Sequence, residues 1–202
     1  METTTQTTSS DDFGDGVSAE TKKIARDLAL KFGLFLGIIG IALTLIFYLF
    51  NPLYSIQMPF LGSISFVVSI AATIYFILEI RKSVGGFWDF RFSFSSILVM
   101  FLVSTLMLFL FNVILYNVID AGLGEKMKTA YKEKMDKEFA SKGVSGDQAN
   151  TQIQMGASFI PDYKSIKSML IALFSGVVGS IIISLILAAI FKKNRPLFSP
   201  SA

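Results

Sequence analysis

The stretch FSFSSILVMFLVSTLMLFLFNVILYNVI, Phe92 to Ile119, runs for 28 residues without a charged side chain, between Arg91 and Asp120. As a helix rising about 1.5 Å per residue it is about 42 Å long, more than the roughly 30 Å hydrocarbon core of a bilayer. Its leucines, phenylalanines and valines go all the way round, whereas a helix of a soluble domain keeps one polar face. The stretch therefore reads as a membrane span, and the remaining chain is read outward from it.

Three more uncharged runs fit the same solvent: Phe32–Phe50 and Phe60–Leu78 with 19 residues each, and Ser168–Phe191 with 24. Together they predict an all-α polytopic membrane protein of four transmembrane helices, spans 32–50, 60–78, 92–119 and 168–191. A content of 52% hydrophobic residues with 20 Phe is high for a soluble chain of 202 residues and agrees with that reading. Gly33, Gly37 and Gly40 fall on the early turns of span one, while Ser65, Ser69 and Thr73, four apart, share a face of span two. The link 51–59 has two prolines and no charge, so it keeps spans one and two as antiparallel neighbours.

Outside the spans, residues 1–17 offer almost nothing to bury and are expected to form a disordered tail. They lack the basic start and apolar run of a secretory signal, so span one is expected to stay in the mature protein. Ser18 is the predicted N-cap of a helix carrying Lys22, Lys23, Arg26 and Lys31 up to the membrane. Residues 120–167 form the one sizeable polar segment, a helical excursion between spans three and four. There Leu123, Met127, Tyr131, Met135 and Phe139 recur every four residues, and Glu133–Lys137 and Glu138–Lys142 are favourable pairs, so an amphipathic helix is predicted up to Gly143. Ser145 with Gln148 fits a capping box that opens a second, shorter helix, and Pro161 with Asp162 marks the approach to span four. Residues 194–202 are a short C-terminal tail.

Four lysines and arginines precede span one, three lie in the loop 79–91 and three follow span four, whereas the first link has none. The positive-inside rule then puts both termini in the cytoplasm and the 120–167 excursion outside. Trp88, between Phe87 and Phe90, reads as an interfacial aromatic anchor in the headgroup zone.

The loop Gly85-Gly86-Phe87-Trp88-Asp89-Phe90, followed by Phe94 in span three and by Asn112 and Asp120 before a Lys/Glu-rich excursion, resembles a group of uncharacterised four-helix membrane proteins of the Bacteroidota, classed as a domain of unknown function. The resemblance runs from about Lys31 to Lys193. The group's pattern is a glycine pair, an aromatic, a small hydroxyl residue, Phe and then a glycine; Asp89 and Arg91 stand here at the hydroxyl and final glycine positions. It implies four spans in a bacterial inner (cytoplasmic) membrane and brings no activity with it.

Function is constrained mainly by what is missing. With no Cys and no His, thiol nucleophiles, thiolate or imidazole metal sites and the commonest general base are gone, so neither an enzyme nor a bound cofactor is expected. A net charge of +3 is too small to suggest nucleic acid as a partner. No Asp, Glu, Lys or Arg lies in the middle of any span, which disfavours an ion-coupled carrier. Ala172, Gly176, Ser180, Ser184 and Ala188, each four apart on span four, form a stripe that lets another helix approach closely, either within the bundle or in a homodimer. Asn112 and Asn117 point about 140° apart on span three and read as two separate helix–helix hydrogen bonds, with Asn117 near the headgroups and the more dispensable of the two. The expected role is a non-enzymatic accessory or scaffold component of the membrane, whose partners are the lipid bilayer, a second copy, or an envelope protein held by the 120–167 loop. The alternative is a small transporter or permeability factor.

Overall fold

The computed structural model describes residues 18–143, 146–160 and 163–193. The expectations for the two tails, for Ser145 as a cap and for Pro161 and Asp162 lie outside these residues. The described residues form eight helical segments: α1 (Ala19–Phe50), α2 (Tyr54–Gln57), α3 (Pro59–Ser83), α4 (Phe90–Ile114) continued by a π-helical turn (Leu115–Ile119), α5 (Leu123–Ser141), α6 (Asp147–Ser158) and α7 (Ile166–Phe191). The fold is all-α; no strand occurs among the described residues, and α1, α3, α4 with its π turn, and α7 are each long and apolar enough to cross a membrane.

Local signals set the ends of these helices. The Ser18 side chain accepts the Thr21 amide at 3.2 Å and starts α1, and Pro59 opens α3 at a position where its missing N–H costs nothing. Asp89 Oδ2 accepts the Phe92 amide at 3.2 Å and caps α4. A carboxylate at this position satisfies one of the first-turn N–H groups that have no partner within the helix. Gly146, at φ 84°, precedes α6.

The helices lie in the lateral order α3, α1, α4, α7, with α1 and α4 as the central pair. Along α1 and α4, Gly33 faces Met100, Gly37 faces Met107 and Gly40 faces Leu108, so these two helices run parallel. Stacking of Phe32 on Phe76, with centroids 4.7 Å apart, joins α1 to α3, whose buried Thr73 turns to the same side. The core at the end of the bundle holding Ser18 and Lys193 contains Ala25, Ala29, Ile77, Ile80, Trp88, Ile97, Met100 and Ala188, all fully buried. At the opposite end a second cluster of Leu115, Tyr116, Leu123 and Tyr163 joins α4 to the polar excursion.

Span three does not run on as a straight rod. Its last turn widens to π geometry, with the Asp120 amide donating to the Leu115 carbonyl at 2.8 Å, and the chain turns through Asp120–Gly122 before α5. Two polar residues of this turn take up backbone groups: Asn117 Nδ2 donates to the Val113 carbonyl at 2.8 Å, and Asp120 Oδ1 accepts the Gly122 amide at 3.2 Å.

Candidate functional site

A hollow of about 320 Å³ opens at the end of the bundle far from Ser18 and Lys193. Thr44 and Tyr48 reach it from α1, Tyr54 from α2, Asn112 from α4 and Tyr116 from the π turn, while Leu123 and Met127 of α5 cover it. The elements meet there because the first link is too short to leave the membrane surface and α5 folds back over it. Lys134 Nζ donates to the Ile56 carbonyl at 2.7 Å, and the Tyr116 hydroxyl donates to Met127 Sδ at 3.1 Å. A π turn fits this place, since such turns often occur where a helix is bent to shape a site.

Much of the polarity of this hollow is already engaged. Thr44 Oγ1 donates to the Gly40 carbonyl at 2.9 Å and Asn112 Nδ2 to the Leu108 carbonyl at 2.8 Å, each one turn back on its own helix. The Asp120 carboxylate accepts Lys126 Nζ at 3.0 and 3.1 Å, and the Tyr48 hydroxyl stands 3.5 Å from it. Burial pushes the Tyr54 phenol above its ordinary pKa. The lining combines phenol, hydroxyl and amide groups with a partly apolar wall. Among the described residues no cluster of three or more His, Cys, Asp or Glu could hold a metal ion.

Asn117 departs from the sequence reading. It is the asparagine with a tertiary partner, because its Nδ2 also donates to the Tyr163 carbonyl at 3.0 Å, across the gap between spans three and four. Tyr163 has φ 46°, the left-handed region that a non-glycine residue rarely adopts. Its ring packs on Tyr116 and Phe109, with centroids 5.0 and 6.1 Å away. Ring packing and the Asn117 bond together hold that conformation. Asn112, expected to bridge helices, bonds among the described residues only within α4, where its side of the helix faces the hollow.

The small-residue stripe of α7 lies against α4 in the same molecule. A Cβ on Gly176 would stand 2.8 Å from Thr105 Cγ2, and Thr105 Oγ1 lies 2.9 Å from Ser180 Oγ. Ser180 spends its single proton on the Gly176 carbonyl at 2.8 Å, so Thr105 is the donor in the pair. Ser184 and Ala188 are fully buried, and Ala172 packs against the Tyr116–Tyr163 cluster. This places the stripe in internal packing.

Trp88 is enclosed by protein and not open to lipid. It is fully buried, because its backbone exchanges two hydrogen bonds of 2.8 Å with Lys193 and draws the loop under the end of α7. The indole stacks edge-on to Phe92, with centroids 6.4 Å apart. Loop composition suggested exposure, but only the return of the chain after span four supplies the cover.

Tyr54, Tyr116 and Thr105 were not singled out from the sequence. The tyrosines had a weak signal, each lying near the end of an apolar run, yet nothing in their spacing tells that they converge.

Four bilayer-length apolar helices with an extramembrane helical pair define a polytopic α-helical membrane protein. Residues 31–193 match the family DUF4199, described as a protein of unknown function, and the chain belongs to that family. No curated protein and no solved structure matches it.

Proposed function

We propose that this protein is a non-enzymatic accessory or scaffold component of a bacterial inner membrane, with its termini in the cytoplasm and α5–α6 on the outer side. The observation that carries the reading is how firmly the α5–α6 lobe is held. Asp120–Lys126, Lys134–Ile56, Tyr116–Met127 and Asn117–Tyr163 contacts secure it and its adjoining segments to the bundle. The apolar stripe of α5 is used within the molecule, Met127 on the Tyr116 cluster and Tyr131 against Gly156 of α6. The lysines and acids of α5 are left turned outward, a fixed and highly charged surface rather than a loose loop. The Lys and Arg count at the opposite end supports the orientation.

The test is affinity purification from native membranes, comparing the intact chain with a variant in which exposed Lys132 and Lys137 become Glu. A stoichiometric protein partner that the intact chain retains and the variant loses supports the scaffold. Purification with lipid alone from both refutes it.

The hollow at Asn112 favours a second reading, a small transporter or permeability factor for an uncharged solute. Solute flux in proteoliposomes that stops on Tyr116→Ala supports this alternative.

A further inference from the structure

The polar excursion keeps its apolar side chains covered, with one exception. Met155 and Phe159 are 60% and 79% exposed, and among the described residues between Asp120 and Ser165 they are the only large apolar side chains left so open. They stand one turn apart on α6, two residues on from Ile153 and Ala157, which α6 buries, and so about 200° round the helix from that face. Gln148 and Gln152 hold the same line nearer the start of α6 and are exposed too. The line therefore changes from amide to apolar along the helix, and its apolar part is the end from which the chain returns to span four.

That end is held close to the bilayer. With the hydrocarbon beginning just after Arg91, the last charge before span three, about 30 Å at 1.5 Å per residue reaches Asn112. The Tyr163 ring packs on Phe109, inside this limit, and on Tyr116, one turn beyond it. Phe159 comes four residues before Tyr163 and lies within about 14 Å of it by any path of the chain. Three residues after Tyr163 stands Ile166, which with Leu170 and Phe174 is widely exposed and opens the lipid-facing side of α7.

We infer that Met155 and Phe159 enter the lipid surface, so that the end of α6 is a membrane-resting edge of the excursion. The partner is the boundary between headgroups and acyl chains, the layer in which surface-lying helices bury an apolar face. The edge continues the apolar belt that α7 already turns to lipid. A second copy of the chain fits it poorly, since a buried Phe covers about 150–250 Å² and Met no more, against roughly 800 Å² on each side of a stable protein interface. Ser18 and Lys193, from which the two tails leave, lie at the opposite end of the bundle. The inference stands on these two side chains and their tether, independent of the scaffold reading and of which side of the membrane the lobe occupies.

The test uses the full chain, which has no cysteine of its own, with the single replacements Gln148→Cys, Gln152→Cys, Met155→Cys and Phe159→Cys. Each carries the same nitroxide and is reconstituted in vesicles of phosphatidylcholine with phosphatidylglycerol. Power-saturation EPR then reads access to oxygen, which concentrates in hydrocarbon, and to a nickel chelate, which stays in water. All four positions are exposed, and unchanged emission of buried Trp88 shows that each labelled chain is folded. The ratio of oxygen to nickel access is expected to be severalfold higher at 155 and 159 than at 148, and highest at 159. Equal nickel access at all four sites would put the edge in water and overturn the inference. Low access to both reagents at 155 and 159 would mean a protein cover, from a second copy or another chain, and would overturn it equally.

Discussion

Replacing Gly33 by alanine should force α1 away from α4. The new Cβ would lie 2.6 Å from the Met100 carbonyl oxygen, 3.2 Å from Met100 Cα and 2.9 Å from Val103 Cβ, where ordinary contact begins at 3.4 Å. All three atoms belong to the backbone or its first branch, so no rotamer change relieves the clash and the two helices must part. Overpacking of this kind costs about 1–3 kcal/mol. Alanine recovers about 1 kcal/mol in helix propensity, which leaves a net loss of about 0–2 kcal/mol. Two companion variants isolate the cause. At Gly40 the nearest atom is the flexible end of Leu108, at 2.9 Å, so Gly40→Ala should be close to neutral. At Gly62 nothing lies within 4 Å, and Gly62→Ala should stabilise by as much as about 1 kcal/mol. Reversible unfolding in mixed micelles by added dodecyl sulfate, followed by the fluorescence of buried Trp88, gives the three values. If Gly33→Ala proved as stable as Gly62→Ala, close backbone approach would not be what joins α1 to α4.

Asn117→Leu should lose about 0.6–1.7 kcal/mol in the same assay, the range for hydrogen bonds between membrane helices, while Asn112→Leu should lose less because its bond is local; the opposite order would contradict the Tyr163 contact. A double-mutant cycle of Thr105→Val and Ser180→Ala should give a coupling of about 0.6 kcal/mol, and zero coupling would mean the pair is only packed. The hydrogen bond from Lys142, at 2.6 Å, holds the Glu138 carboxyl below its usual 4.5. The fold-linked contribution of this carboxylate is present above the unfolded pKa and is lost as pH falls through the lower folded value. A carboxyl NMR titration should therefore find its midpoint below 4.5 and moving up in Lys142→Gln; a midpoint unmoved by that change would count against the pair.

The chain by itself determined its solvent, because a run of 28 uncharged residues can be satisfied only where lipid surrounds it, and helices are the element that closes its own hydrogen bonds there. The four-residue spacing of small residues also marked the stripe of span four as a line of close approach to another helix. Sequence could not name what approaches it. Lipid is as apolar as leucine, so hydropathy says nothing about which apolar face meets a helix and which meets lipid. Gly33 against Met100 and Gly176 against Thr105 are facts of packing alone. Asn117 reads from the sequence as the more dispensable of the two amides, and only the return of the chain through Tyr163 gave it a distant partner. The burial of Trp88 could not be read locally, because its cover comes from Lys193, more than a hundred residues later. Periodicity predicted α5, but the hollow beneath it exists because Lys134, Met127 and Asp120 fold that helix back onto the first link and the π turn. Local patterns carry the elements and their solvent; long-range contacts between chemically similar faces decide the site.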